Sequence, residues 1–386
     1  MKQHNATYQR LGDYIREVDV RNKDLKVTTL LGVSISKEFI PSIANTIGTD
    51  MSAYKVVEHD QFAYGPVTSR NGEKVSIALY IGTEQAIISQ AYSVFEITDT
   101  KQVLPEYLMM WFRRPEFDRY ARFKSHGSAR EIFDWSEMCD VLLPIPPVAR
   151  QREIVAEYAM LANRIRLNNR LISTLESTAQ VLYRKMFVEG IDKENLPNGW
   201  RMGVFTEVVN ICGGGTPSTE MDDFWKDGQV PFYSPADKSR YYYSLVTGKH
   251  ITEKGLANCS SRLYPQHTTF VTARGATTGG VTIIGCPMAM NQTCYALIGK
   301  NIMSPFYIHQ LSIATMASLK NEATGATFEA LVTKDFDNTE IIIPSVEYML
   351  SYNEQVSVVY KNILTKQEEN NKLTELQSLL LAKMGQ

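Results

Sequence analysis

Two long stretches of the chain repeat apolar residues at alternating spacings of three and four, the pattern of a helix that packs along one seam. Both begin just after proline, at "PIPPVARQ" and "IPSVEY", and proline is tolerated in the first turn of a helix. Each would form a helix of about forty residues, or about 60 Å. The apolar seam positions are Ile154, Tyr158, Leu161, Ile165, Ile172, Leu175, Ala179, Leu182 and Met186 in the first stretch and Tyr352, Val356, Val359, Ile363, Leu373, Leu380 and Met384 in the second.

Polar residues interrupt each seam near its middle. Asn168 stands in the first, and Lys366, Asn370 and Gln377 stand in the second. A polar residue at a seam position lowers stability but specifies register and partner. We therefore expect the two helices to pair with one another or with another chain. An ordinary amphipathic core helix is the alternative, and the length of the pattern argues against it.

The chain is also an internal repeat. "SHGSAREIFDWSEMCDVLLPIPP", beginning at Ser125, aligns with "ATGATFEALVTKDFDNTEIIIPS", beginning at Ala323. The same offset places Lys185 on Lys383, and "LPEYL" upstream is similar to "SPFYI" with a slip of two residues. The chain therefore consists of a globular half and a helical arm, followed by a second globular half and a second arm.

The globular halves combine both kinds of secondary structure. β-Branched and aromatic residues predict strands in "KVSIALYIG", "AIISQAYSVFEI", "TTFVTA", "GGVTIIG", "TCYALIG", "VLLPI" and "EIIIP". Helices are predicted in "LPEYLMMWFRRPEFDRYARF" and "SPFYIHQLSIATMASL". The predicted fold class is α+β, with two globular domains at 1–146 and 188–344 separated by two long helices at 147–187 and 345–386 that form an antiparallel coiled coil.

Composition is typical of a globular protein. The 386 residues are 44% hydrophobic and 21% charged, with a net charge of −2. This net charge does not by itself indicate a nucleic-acid partner, although a basic face can coexist with acidic surfaces elsewhere. The start "MKQHNATYQRLGDYIREVDV" has no apolar core of a signal peptide, and no run of eighteen apolar residues occurs. We expect a cytoplasmic protein that does not enter a membrane.

Motifs for catalysis and metal binding are missing from the sequence. The five cysteines form no C-x-x-C pair, and the six histidines are scattered. "ICGGGTPST" at 211–219 has consecutive glycines but lacks the lysine and the helix start of a phosphate-binding loop. The sequence has no G-x-S-x-G and no N-P-P-Y or D-P-P-Y motif for amino methylation. We expect a recognition component that is not an enzyme and binds no metal.

Recognition chemistry is concentrated in loops. "QFAYGPVTSRNGEK" (61–74) and "TTFVTARGATTGG" (268–280) occupy comparable places in the two halves, and "SPADKSRYYYS" (234–244) adds two cations and three tyrosines. Arginine donates two hydrogen bonds to guanine or phosphate, and hydroxyl and amide groups contact base edges or the backbone. Hairpin turns with solvated charges are the alternative. The candidate DNA contacts are Arg70, Asn71, Lys74, Lys238, Arg240, Arg274 and Thr277.

These segments resemble the specificity subunits of type I restriction-modification systems over nearly the full chain. "LPIPPVARQREIVAEY" followed by "LNNRLISTLESTAQVLYRKMF" is similar to the central conserved region of that family, and "IIIPSVEYML" through "LLLAKMG" is similar to its distal region. "GW" at 199–200 leading to "GGGTPST" and "VPFYSPAD" resembles the opening of a second target-recognition domain. The second arm lacks a counterpart of the Arg150-Gln151 pair.

The resemblance implies a DNA-recognition function. Each globular domain would be a target-recognition domain that reads one half of a bipartite, interrupted site in double-stranded DNA, and the helical arms would set the spacing and dock two modification subunits. Those subunits would supply S-adenosylmethionine and methylate adenine N6, while restriction subunits would use ATP and Mg. The chain itself would hold no cofactor. The glycine run would then be a close-approach loop near DNA or a structural turn.

Two other classes of function stay open at the level of sequence. The chain could be a coiled-coil scaffold whose globular ends bind proteins, in which case the assembled complex would show no salt-dependent DNA binding. It could also be a free-standing methyltransferase or nuclease, which would require activity from the purified chain alone.

Overall fold

The computed structural model describes residues 8–43, 48–69, 72, 74–126, 131–322 and 330–385. The chain divides into two compact units. Unit 1 comprises Met1–Arg164 with Leu373–Gln386, and unit 2 comprises Ile165–Lys372. Each boundary falls inside a long helix, so both units contain part of each helical arm.

Unit 1 contains short strands, three short helices and the beginning of the first arm. Its strands are β1 (Tyr8–Arg10), β2 (Ile15–Val18), β3 (Leu30–Val33), β4 (Phe39–Pro41), β5 (Lys55–Val57), β6 (Phe62–Tyr64), β7 (Ile77–Leu79), β8 (Ala86–Ile88), β9 (Ser93–Ile97) and β10 (Leu142–Pro144). Its helices are α1 (Pro105–Phe112), α2 (Pro115–Lys124), α3 (Trp135–Cys139) and the first part of the long helix α4 (Val148–Phe187).

Unit 2 has the same kinds of element. Its strands are β11 (Arg201–Val204), β12 (Val209–Gly213), β13 (Val230–Tyr233), β14 (Tyr243–Ser244), β15 (Lys249–Ile251), β16 (Thr269–Thr272), β17 (Val281–Ile284), β18 (Ala289–Met290), β19 (Cys294–Gly299) and β20 (Glu340–Ile343). Its helices are α5 (Phe205–Val208), α6 (Glu253–Ala257), α7 (Pro305–Glu322), α8 (Thr333–Asp337) and most of the second long helix, α9 (Val346–Lys383). Short 3-10 turns occur at Leu11–Asp13, Met51–Ala53, Asp222–Phe224 and Pro235–Asp237.

The predicted helix over "LPEYLMMWFRRPEFDRYARF" is two helices in the structure. α1 ends at Phe112 and α2 begins at Pro115, because proline excludes the helical conformation from the residue before it. Arg114, which precedes that proline, adopts an extended conformation with ψ of 137°. The predicted strand "AIISQAYSVFEI" is likewise divided, into β8 and β9.

The sheets of the two units share one strand order, which confirms the internal repeat. In unit 1 the order β2-β9-β6-β7 forms a four-stranded sheet, and in unit 2 the order β12-β19-β16-β17-β14 forms a five-stranded one. The fifth strand, β14, extends the second sheet at its edge by parallel pairing with β17. Smaller sheets recur as well, with β1-β10 matched by β11-β20, and β4-β3-β8-β5 and β15-β13-β18 completing the two units.

The long helices supply part of the hydrophobic core in each unit. In unit 2, Ile172 and Ala179 of α4 and Val356 and Ile363 of α9 are fully buried in one cluster. In unit 1, Tyr158 from the start of α4 packs on the same cluster as Leu381 and Met384 near the end of α9. Most of these residues belong to the predicted seams, so periodicity identified the buried face.

α4 and α9 run antiparallel within unit 2. Near the end of α4, Phe187 makes an edge-to-face contact with Tyr352, with ring centroids 4.9 Å apart. Farther from that end, Asn168 Nδ2 donates to Asn370 Oδ1 at 2.9 Å, and Asn370 Nδ2 donates to Asn169 Oδ1 at 2.8 Å. The two polar seam positions are therefore partners, and of the two expected pairings it is the one between the arms of the same chain that forms here.

The asparagine pair provides a test of what the polar seam contributes to stability. Asn168→Leu removes the donor to Asn370 in a site where Asn168 is only 3% exposed, so we expect the free energy of unfolding to fall by about 1–3 kcal/mol. The double variant Asn168→Leu with Asn370→Leu replaces both amides by apolar groups and should recover much of that loss. Urea denaturation of the unsubstituted protein, the single variant and the double variant measures this, and a double variant no more stable than Asn168→Leu alone would contradict it.

Candidate nucleic-acid interface

The two predicted recognition loops occupy equivalent places in the repeat. In unit 1, Phe133 N donates to Pro66 O at 2.8 Å and the adjacent Val67 forms a β-bridge with Ile132. In unit 2, Leu331 N donates to Ala273 O at 2.8 Å and the adjacent Arg274 forms a β-bridge with Ala330. Ile132 and Ala330 are matched in the sequence alignment of the halves. Each loop therefore leaves its sheet beside the same segment, and Arg274 corresponds to Val67, three residues before Arg70.

In unit 2 this loop borders a cleft of about 420 Å³. Cationic side chains from separate parts of the chain line this cleft. Lys238 and Arg240 precede β14, and Lys320 lies in the last turn of α7. All three side chains are exposed. The remaining lining residues are Glu176, Gln180, Tyr241, Tyr242, Gly279, Gly280, Val281, Ile313, Met316 and Ala317.

Close packing at Gly280 brings the 234–244 and 268–280 segments of unit 2 together. A Cβ atom at this position would lie 3.0 Å from Thr277 O and 3.4 Å from the Lys238 side chain. The absence of a side chain there lets Lys238 pass beside the 273–279 turn. Arg240 extends over the ring of Tyr241, with its guanidinium carbon 5.0 Å from the centroid. This contact is of the cation–π type and limits the positions that the guanidinium occupies.

The segment that carries Lys238 and Arg240 is fixed by a helix side chain. Gln367 of α9 is buried and pairs with both backbone groups of one residue, since Tyr243 N donates to its Oε1 at 3.3 Å and its Nε2 donates to Tyr243 O at 2.9 Å. The amide thus takes the place of a neighbouring strand at this sheet edge. The cations on the segment are presented from a backbone that is already ordered.

Unit 1 has a basic cleft of its own. Lys74, at the end of the first predicted loop, lines it with Lys37, Arg113 and Arg119. Asp118 of α2 accepts hydrogen bonds from Lys37 Nζ at 2.7 Å and from the backbone N of Val75 at 3.0 Å. Burial lowers the pKa of Lys37, while the charge and hydrogen bond of Asp118 act in the opposite direction. A helix carboxylate therefore fixes the residue that follows Lys74.

Of the predicted contacts, Lys74, Lys238, Arg240, Arg274 and Thr277 are exposed in the structure. Lys238 and Arg240 share one cleft, and Thr277 adjoins it. Arg274 lies on the same hairpin, but among the described residues it is not part of the cleft lining. Arg70 and Asn71 lie outside the described residues, as does most of "SHGSAR" and "ATGATF".

Sequence reasoning missed Arg113, Arg119 and Lys320. All three lie in or next to helices α1, α2 and α7, whereas the search for recognition residues was confined to loops. The run "RRPEFDR" carries three arginines around a proline, and this charge density next to a helix break is the signal that could have identified the first two.

Two glycines of the run at 213–215, Gly214 and Gly215, pack closely against neighbouring residues. A Cβ on Gly214 would lie 2.0 Å from Asn291 O, and a Cβ on Gly215 would lie 2.0 Å from Ser260 Oγ. Gly215 N donates to Met290 O at 3.1 Å. The glycines are needed for this close approach, as the structural-turn interpretation predicts.

The described ranges contain neither a metal-binding cluster nor a membrane-spanning helix. No group of three or more His, Cys, Asp or Glu side chains there is arranged to hold a metal ion. No helix in those same ranges combines the length and the apolar character needed to cross a membrane.

Substitution of single glycines tests the structural role of the run. Gly214→Ala forces Asn291 to move and should lower the free energy of unfolding by about 1–3 kcal/mol. Gly213→Ala is the matched control, because no atom lies within 4 Å of its added Cβ. Thermal denaturation of both variants measures the difference. Equal stability of the two would show that the close approach at Gly214 is not needed for the fold.

Comparison with known proteins identifies a family that this chain resembles. The model of the type I restriction modification DNA specificity domain matches residues 197–377. The chain is 29% identical over 196 residues to the type I restriction enzyme MjaIX specificity subunit of Methanocaldococcus jannaschii, a match that covers 50% of this chain and 45% of that protein. It is 22% identical to the type I restriction enzyme HindI specificity subunit of Haemophilus influenzae, with 89% of each chain covered.

A solved structure has a similar fold. The S subunit of a type I restriction-modification system from M. genitalium superimposes with a TM-score of 0.60 at 13% identity, covering 100% of this chain and 98% of that one. The chain spans about half the length of the MjaIX relative and nearly all of the HindI relative. Residues 197–377 therefore belong to the type I restriction modification DNA specificity domain family, and the chain as a whole is similar to specificity subunits of type I restriction-modification systems.

Proposed function

We propose that this chain is the DNA-recognition subunit of a type I restriction-modification complex and that each globular domain reads one half of a bipartite, interrupted site. The observation that carries the proposal is the duplication of a basic cleft beside an equivalent loop. Lys74, Arg113 and Arg119 line the cleft in unit 1, and Lys238, Arg240 and Lys320 line the cleft in unit 2.

The two kinds of residue at each cleft suit two tasks. Exposed lysines and arginines neutralise phosphates and supply affinity for DNA of any sequence. Arg274 and Thr277 in the second loop, and Arg70 and Asn71 in the first, carry donors and acceptors that can distinguish base edges. Phosphate contacts would set the position of each domain on the duplex, and the loop residues would provide specificity.

The helical arms are proposed to set the half-site spacing and to dock two modification subunits. Exposed apolar residues on the helices support docking, because Leu167 and Leu171 of α4 are 47% and 43% exposed and Val358 of α9 is 60% exposed. Partner helices commonly cover such residues. The modification subunits would bring S-adenosylmethionine for methylation of adenine N6, and restriction subunits would bring ATP and Mg.

The chain itself is proposed to perform no catalytic step and to hold no cofactor. It would act in the cytoplasm, where the complex meets chromosomal and incoming DNA. A protein-binding scaffold is the outcome that the following experiments would favour if DNA recognition failed.

Deletion of the gene tests recognition in the cell. A map of N6-methyladenine across the genome, with and without the gene, should show one interrupted motif that loses methylation on deletion. The same map gives the recognised sequence and its half-site spacing. Unchanged methylation in a strain that expresses both this chain and an intact modification subunit would contradict the proposal.

Single substitutions separate phosphate contacts from base contacts. Lys238→Ala should weaken binding of the assembled complex to all duplexes alike and reduce the steepness of the salt dependence. Arg274→Ala and Arg70→Ala should each reduce affinity for the recognised site by about 1–3 kcal/mol and relax one position of it. Lys193→Ala, an exposed lysine outside the cleft, serves as the control. Unchanged methylation at every site in both arginine variants would refute the assignment of these residues.

A further inference from the structure

Glu176 lines the cleft in unit 2, and its carboxylate accepts a hydrogen bond from the segment that carries the cations. Tyr242 N donates to Glu176 Oε1 at 2.6 Å, and Tyr242 Oη donates to the backbone O of Glu176 at 3.1 Å. Glu176 is half-buried on α4. Since Tyr242 lies between Arg240 and β14, the carboxylate fixes the backbone only two residues from a proposed DNA contact.

A chain of hydrogen bonds extends this anchor to other helices of unit 2. Gln310 Nε2 of α7 donates to Tyr242 Oη at 3.2 Å and to Tyr360 Oη of α9 at 2.8 Å. His309 Nδ1 and Tyr360 Oη are 2.7 Å apart. Burial lowers the pKa of His309 to about 3, so this imidazole is neutral at physiological pH. Tyr242 is therefore held on several sides, and Glu176 is the charged member of the set.

The same carboxylate faces the cations. Burial raises the pKa of Glu176 to about 6, while the Tyr242 N–H and the charges of Lys238 and Arg240 act in the opposite direction. The charged or titratable groups that line the same cleft are Lys238, Arg240, Tyr241 and Tyr242 from the segment before β14 and Lys320 from α7. At neutral pH most of the carboxylate is ionised, and it competes with any phosphate for the cations of the cleft.

We propose that Glu176 is a positioning residue with two effects, holding the 238–242 segment through Tyr242 and weakening the affinity of Lys238 and Arg240 for DNA of arbitrary sequence. The inference rests on the proposed function. A negative charge beside phosphate-binding cations lowers the sequence-independent part of binding, whereas the fixed backbone preserves the geometry that a specific site requires. The charge therefore weakens binding to all duplexes alike, and the fixed backbone contributes to the specific site alone.

Substitution of Glu176 by glutamine or alanine separates the two effects. Glu176→Gln keeps an oxygen that can accept from Tyr242 N but removes the charge, and Glu176→Ala removes both. The exposed glutamate of α9 provides a matched control, Glu354→Gln. Each full-length variant is assembled with the modification subunits, and its dissociation constant is measured for a fluorescent duplex with the mapped site and for a scrambled duplex.

At neutral pH we expect Glu176→Gln to bind both duplexes about three- to tenfold more tightly than the unsubstituted protein, with the ratio of specific to scrambled affinity unchanged. Glu176→Ala should in addition lose affinity for the specific site, which the glutamine variant retains. Glu354→Gln should match the unsubstituted protein on both duplexes.

The pH dependence provides a second measurement. DNA phosphates near Glu176 raise the pKa of its carboxyl in the complex, so the complex takes up a proton. Affinity of the unsubstituted protein for the scrambled duplex should therefore rise as the pH falls from neutral through about 6, and then level off. The glutamine variant should lack this component.

Failure of the role of Glu176 and failure of DNA recognition would give different experimental results. If Glu176→Gln has the same affinity for the scrambled duplex and the same pH profile as the unsubstituted protein, and Glu176→Ala keeps its affinity for the specific site, the role of Glu176 is overturned while DNA recognition stands. If the unsubstituted complex shows no salt-dependent binding to either duplex, the proposed function fails first.

Discussion

The pairing of the two long helices is the interaction on which unit 2 depends. A seam of apolar residues would allow several registers, because sliding by a heptad returns similar side chains to similar places. The hydrogen bond from Asn168 to Asn370 removes that freedom, since any other register leaves a buried amide without its partner. Once the register is fixed, Glu176 on α4 contacts Tyr242 just before β14, and Gln367 on α9 contacts Tyr243 at its start. Helix pairing thus decides where the proposed recognition segment is attached.

Attachment of a loop to helix side chains recurs in both units. Asp118 accepts from the backbone beside Lys74 in unit 1, and Gln367 pairs with the backbone of Tyr243 in unit 2. Loops that bind DNA must expose cations, yet their own backbone groups need partners. Helices that supply those partners leave the lysine and arginine side chains free for phosphate. Ordering the loop before binding also reduces the entropy lost on association.

The two units share a framework but fill it differently. In unit 2, the ring of Tyr360 stacks on Phe306 with centroids 4.4 Å apart. The repeat places Ala162 and Glu106 at the corresponding positions of unit 1, where they border an apolar cavity of about 560 Å³. The strand order is the same in both units despite these side-chain differences, because it depends on backbone pairing. The packing of the interior depends on the volumes of individual side chains. Divergence of this kind is compatible with two domains that read different half-sites.

The sequence by itself determined the repeat, the α+β class, the long helices and their polar seam positions. These features follow directly from the spacing and periodicity of residues along the chain. It also located the two loops, since turn residues and alternation mark them locally. Only the tertiary structure decided that Asn168 meets Asn370, that Lys320 from a distant helix joins Lys238 and Arg240, and that Glu176 anchors Tyr242. Periodicity fixes which face of a helix is buried. It carries no information about which remote residue that face will meet, because such contacts are selected by the packing of the whole core.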